Sequence, residues 1–111
     1  DVEIEETHHV HKIDAPSGTA VKLAEILMND IARKNKWKKE KASHADEIAV
    51  RSIREDEIPG IHRVLYASSF DDIELKHAAK SREGFALGAV MAAEYIHNRK
   101  GIYSMDDLLN I

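Results

Sequence analysis

Apolar and polar residues alternate from the first positions of the chain. Val2, Ile4 and Glu6 fall on one side, and Glu3, Glu5 and Thr7 on the other. A period of two predicts a half-buried strand. The strand runs into His8-His9-Val10-His11-Lys12 and then into the turn cluster Asp14-Ala15-Pro16-Ser17-Gly18-Thr19. From Gly18 to about Asn35 the period becomes helical, with Ala20, Ala24, Leu27, Met28 and Ile31 on one stripe. Arg33, Lys34 and Lys36 crowd its far end, where the helix dipole favours cations. The segment from Asn35 to Asp46 is polar and lysine-rich and reads as a solvated loop, with Trp37 folding back as a lid on apolar surface.

Three further strands are predicted: Ile48 to Glu55, Ile61 to Ala67 and Asp72 to Ala78. Their short connections, one of them through Pro59-Gly60, suggest an antiparallel meander. A second helix is expected from about Gly84 to Arg99, with the stripe Phe85, Ala89, Ala92, Ala93 and Ile96 and Gly101 as its C-cap. Ser104 is placed to cap a last short turn, Ser104 to Leu109. These elements predict an α+β domain, a mostly antiparallel mixed sheet of about four strands with the two main helices on one face. The other sheet face is expected to carry Ile, Val and Leu that so thin a domain cannot cover, and so to pack against a second copy.

Composition narrows the function. The chain has 111 residues, of which 43% are hydrophobic and 32% charged, a soluble globular balance for one modest domain. Its formal net charge of −4 argues against a duplex nucleic-acid binder. There is no cysteine, which removes disulfides, thiolate catalysis and thiolate metal sites, and fits a reducing compartment. No apolar run approaches ~18 residues, so no membrane-spanning helix is predicted. The chain opens at Asp1 without a Met and directly in a strand pattern, and is expected to be a piece of something longer.

The candidate chemistry lies where the first strand meets the first helix. His8, His9, His11 and Lys12 bring imidazoles and an ammonium together. The spacing His-x-His could hold a metal, but further ligands would have to come from elsewhere and Lys12 would repel a cation, so no metal is expected. The first N–H groups of a helix lack internal partners and carry the positive end of its dipole. At the start of the first helix Gly18 lets a ligand approach the backbone, and Thr19 adds a hydroxyl. Such a start binds a carboxylate or phosphate, and a histidine beside it can give a proton near neutral pH. The residues alone leave a second reading open, that Pro16, Ser17 and Gly18 merely begin a helix. The motif is not a P-loop, because Gly-Lys-Ser/Thr is absent.

The run from Glu5 to Ala20, with His8-His9-x-x-Lys12-x-Asp14-Ala15-Pro16-Ser17-Gly18-Thr19 at its centre, resembles the signature of dihydrodipicolinate reductase, also called 4-hydroxy-tetrahydrodipicolinate reductase. Gly60-x-His62-x-Val64, then Ile73-Glu74-Leu75-x-His77, Ser81-Arg82, Phe85-Ala86-x-Gly88-Ala89 and the closing Gly101-Ile102-Tyr103-Ser104-Met105 resemble later blocks of the same family. The resemblance covers nearly the whole chain but only the family's C-terminal, substrate-binding and tetramer-forming domain. The five glycines, at 18, 60, 84, 88 and 101, do not form the Gly-rich turn of a dinucleotide-binding domain.

The resemblance implies a cytoplasmic, homotetrameric NADPH- or NADH-dependent oxidoreductase of the diaminopimelate and lysine pathway. Its nicotinamide cofactor would sit on the missing N-terminal domain, and its substrate is a cyclic dicarboxylate. His8 then matches the general acid, which protonates the ring carbon beside the one receiving hydride. Lys12 matches the lysine that assists that step and holds a carboxylate. His9 matches a substrate-carboxylate contact, and Gly18 and Thr19 match the pair that binds the other carboxylate. Arg82 belongs to the same pattern but reads more simply as an ion pair at a helix start. The chain departs from the family's Arg-x-Gly-Asp at Arg54-Glu55-Asp56-Glu57. His62 and His77 read as core or interface histidines, and His44 and His97 as surface residues. Alone, the fragment is expected to be inactive. The alternatives are a non-catalytic oligomerisation or anion-binding module of the same fold, and a histidine metal site.

Overall fold

The computed structural model describes residues 1–111. The elements run β1 (Val2–His8), α1 (Gly18–Asp30), β2 (Lys36–Lys39), β3 (Glu47–Arg54), β4 (Ile61–Ala67), β5 (Asp72–Ala78), α2 (Glu83–Ile96) and α3 (Met105–Leu109). The chain divides into two compact units, Asp1–Ala79 and Lys80–Ile111.

The first unit is one mixed sheet of five strands in the order β2-β3-β1-β4-β5. This corrects two expectations. The polar segment after α1 is not all loop, because Lys36–Lys39 pairs parallel to β3 as an edge strand. Its single inward residue, Trp37, packs on the core while the lysines face water, and lysine on an edge discourages further pairing. The last three strands are also not a meander. β4 and β5 pair antiparallel, but β1 is inserted between β3 and β4, parallel to the first and antiparallel to the second. The parallel β1–β3 pair is reached by the crossover through α1 and β2.

The registers Ile4↔Val50, Ile4↔Val64 and Trp37↔Ile48 put Val2, Ile4, Ile48, Val50, Val64 and Trp37 on one face. Ala20, Ala24 and Leu27 of α1 complete that core, on the stripe the periodicity predicts. Alanines at two contact positions let the helix lie close to the sheet. The helix stops at Asp30, short of Asn35, because the chain turns inward to bury Lys34. The Lys34 ammonium donates to the Ala45 and Glu47 carbonyls at 2.8 and 2.9 Å and to Asp1 Oδ1 at 2.6 Å.

The opposite face is not the apolar one expected. Ile73 and Leu75 pair with Tyr66 and Val64 and so share the core face, where they remain exposed. The other face carries an ion-pair ladder: Glu5 bonds Arg51 at 3.0 Å and Arg63 at 2.7 Å, and Arg63 bonds Glu74 at 2.7 Å. Arg63, held between two carboxylates, is shifted further above the ordinary arginine range.

In the second unit α2 spans Glu83–Ile96 and buries no residue; Phe85, Leu87, Val90, Met91 and Ile96 are exposed. It ends before Arg99, and Asn98 at φ 63° rather than Gly101 makes the left-handed turn after it. Arg99 lies 4.2 Å over the Tyr95 ring, whose edge meets Tyr103. α3 begins as predicted, with Ser104 and Asp107 forming a reciprocal capping box. No helix is long and apolar enough to cross a membrane.

Candidate active site

Strand parity sends Glu6 and His8 to the same face as Ile4, so the apolar core gives way to a polar cluster at the end of β1. The parallel partner of His8 is Arg54, and the antiparallel partner of Glu6 is His62. Three strands thus bring a carboxylate, a guanidinium and two imidazoles together, and the first turn of α1 adds Ser17.

Glu6 is fully buried, which is expensive unless both oxygens are satisfied. Here they are. Arg54 reaches one oxygen at 3.1 Å through Nη1 and the other at 3.0 Å through Nη2. The Ser17 N–H donates to Oε1 at 3.2 Å, and His8 Nδ1 closes on Oε2 in a short bond. Burial by itself would raise the Glu6 carboxyl. The hydrogen bonds from Arg54 and His8 outweigh it and hold the group below the ordinary carboxylate value.

Ser17 is the N-cap of α1, accepting from the Ala20 N–H at 3.2 Å, and its hydroxyl also meets His62 Nε2 at 3.1 Å. Gly18 and Thr19 follow it, exposed, and open space lies over Gly18. Their N–H groups are the helix donors that neither the cap nor the α-helical ladder satisfies. The His8 and His62 rings meet edge to face, 5.1 Å apart. Burial, and then the neighbouring His8, push His62 below its ordinary value. His8 itself is only 12% exposed, and its Nε2 faces Gly60, where an added Cβ would stand 3.1 Å away.

Beyond β1 the chain is held by Glu55 N–H to His8 O at 2.9 Å and Val10 N–H to Asp56 O at 3.1 Å. Asp56 takes the left-handed backbone at φ 47°, which Asp tolerates better than most residues. Lys12, three-quarters buried, pairs with Asp14 at 2.9 Å, which holds the Asp14 carboxyl low, and its charge also acts on His62. The half-buried His9 ring lies 5.9 Å from that of His11, which bonds the exposed Glu57.

His8 and the Gly18-Thr19 helix start are joined to one cluster through Glu6, Ser17 and His62, and Lys12 lies in the loop between them, its N–H on the His9 carbonyl at 3.2 Å. His9 lies on the loop with His11, and Arg82 stands in the second unit at the N-cap of α2. His62 is half-buried and hydrogen-bonded, and it touches both His8 and the α1 cap. His77 is exposed, while His44 and His97 are surface residues as read. Glu6, Ser17, Arg54 and Gly60 join the site only through strand order and the helix cap. The available signal for Glu6 was its parity: a glutamate facing inward between Ile4 and His8 must have partners.

A buried carboxylate–imidazole pair thus lies beside an open helix N-terminus at the end of the mixed sheet. The family profile described as "Dihydrodipicolinate reductase, C-terminus" matches residues 1–109, and the chain belongs to that family. It is 49% identical over 109 residues to a 4-hydroxy-tetrahydrodipicolinate reductase of Christiangramia forsetii, covering 98% of this chain and 45% of that protein. A protein of the same name from Methanosarcina barkeri is 46% identical, over 100% of this chain and 43% of its own length. Among solved structures, the dipicolinate-bound dihydrodipicolinate reductase of Paenisporosarcina sp. TG-14 superposes with a TM-score of 0.69 at 27% identity, covering 96% of this chain and 44% of that one. The chain spans a little under half the length of these relatives.

Proposed function

We propose that these 111 residues are the C-terminal, substrate-binding half of a reductase that converts 4-hydroxy-tetrahydrodipicolinate to tetrahydrodipicolinate in diaminopimelate and lysine biosynthesis. The observation that carries this reading is the link made by Glu6. One buried carboxylate holds both the imidazole of His8 and the N-cap of the helix whose first two N–H groups are open. Acid and anion subsite are therefore kept at a fixed separation, as protonating a ring that carries carboxylates requires.

In this reading Gly18 and Thr19 bind one substrate carboxylate, and Lys12 and His9 the other. His8 delivers a proton to the ring carbon next to the one that is reduced, and Lys12 assists. A nicotinamide nucleotide, NADPH or NADH, supplies the hydride from a dinucleotide-binding domain outside this chain. None of the scattered glycines here forms a cradle for it. The isolated chain therefore has no turnover. The protein works in the cytoplasm as a homotetramer, and the exposed Phe70, Ile73 and Leu75 support an assembly that covers them. A stable monomer by light scattering at micromolar concentration would remove the assembly from this reading.

Calorimetric titration with pyridine-2,6-dicarboxylate tests the site. The parent chain is expected to bind, and His9→Ala and Lys12→Ala each to weaken binding by roughly 10-fold or more, the scale of one charge-assisted hydrogen bond. Binding that ignores both changes, or no binding, would favour a non-catalytic module.

A further inference from the structure

We infer that Glu6 is the positioning residue of the His8 acid: it takes the hydrogen on Nδ1, so the proton the ring gives to substrate is the one on Nε2, at the face left open by Gly60. This rests on the reading of His8 as the acid.

The geometry leaves little choice of direction. The Glu6 oxygens receive two guanidinium N–H groups of Arg54 and the Ser17 N–H. A carboxylate surrounded by donors on both oxygens is an acceptor, so in its bond to His8 the imidazole donates. That assigns the hydrogen to Nδ1 in the neutral ring and leaves Nε2 as the atom that gains and loses a proton. When His8 acts, the Nε2–H bond breaks and a C–H bond forms on the substrate ring. The imidazolium becomes a neutral imidazole that keeps its hydrogen on Nδ1, against Glu6. The ring cannot turn over without giving up that bond. His62 packs edge-on against it at 5.1 Å, and the space beside Nε2 exists because residue 60 has no Cβ. The charged and titratable groups against the ring are Glu6 on β1 and His62 on β4, with Arg54 on β3 held against Glu6, and Lys12 and His77 acting on His62.

The full-length reductase carrying this chain provides the test. In the parent enzyme, 15N correlation spectra of the neutral His8 ring are expected to show the hydrogen on Nδ1; a hydrogen on Nε2 would overturn the proposal without any mutation. Glu6→Gln preserves shape but offers an amide that can donate. It is expected to lower kcat by roughly 10–100-fold with KM within about twofold, and to abolish the single-tautomer signature. Glu6→Asp keeps the charge and is expected to recover part of kcat. A Glu6→Gln enzyme with unchanged kcat, or one whose loss lies in KM alone, would refute the positioning role. His8→Ala separates the two ideas. If it spares turnover, the reading of His8 as the acid fails. If it abolishes turnover while Glu6→Gln does not, only the role of Glu6 fails.

Discussion

β3 carries a buried charged cluster at each of its ends, and the two are built differently. At its start, Glu47 turns one oxygen to the Ser43 and His44 N–H groups at 2.8 and 2.9 Å and the other toward Lys36 and Lys38, while Lys34 donates to the Ala45 and Glu47 carbonyls. Backbone hydrogen bonds from Ser43, against the effect of burial, hold Glu47 low. Most contacts there return to nearby backbone, with Lys34 also pairing to Asp1 Oδ1 at 2.6 Å, and the cluster fastens the loop before β3. At the far end Glu6 is just as buried and Arg54 partly so, but the network runs on to His8 and to the open helix start at Gly18. Burial of charge alone does not mark a site. A network that ties down a loop is a staple, whereas one that joins an imidazole to an open helix start can act on a ligand.

The largest effect expected from breaking this contrast is at the staple. Lys34→Met removes the donor from two buried carbonyls and should destabilise the protein by ~2–4 kcal/mol in urea unfolding. Dicarboxylate binding by the folded fraction should not change. Loss of binding at full stability would mean that the two ends of β3 are not independent.

A middle effect is expected on acidification. His62 sits below its ordinary value in the folded chain, so the unfolded chain takes up the proton first. Stability should then fall as pH drops from about 6.5 through the folded His62 value. Glu6 is also lowered, so its contribution is present above its ordinary value of 4.5 and is lost as pH falls through the folded value. Thermal melts across pH should show both steps, with His62→Gln flattening the upper one; an unaltered upper step would assign it elsewhere.

The smallest expected effect is at Ser17. Ser17→Ala deletes the cap of α1 and the contact to His62, at about 1 kcal/mol of stability. It leaves the Ser17 N–H on Glu6, so dicarboxylate affinity should weaken only a few-fold by calorimetry. A loss as large as that expected for Lys12→Ala would place the hydroxyl itself on the ligand.

What could be read along the chain was what is local in it. His8 through Thr19 form a continuous string, and the strand, turn and helix start that carry them follow from parity, turn residues and a cap within a few positions. The α1 stripe and the Ser104 cap are local in the same sense and were legible for that reason. The end of α1 was not, because Lys34 leaves the helix for carbonyls at 45 and 47. β2 was not, because a strand with one inward tryptophan has too short a pattern to stand out from a lysine-rich loop.

The sequence by itself determined which chemistry is present: the imidazoles, the lysine and the glycine–threonine helix start, in their order. Only the tertiary structure decided how they are used. Placing β1 between β3 and β4 sets Arg54 and His62 on either side of Glu6, and those partners lie 48 and 56 residues away along the chain. A buried carboxylate acquires its role from the donors that surround it, and strand order rather than local pattern chooses those donors.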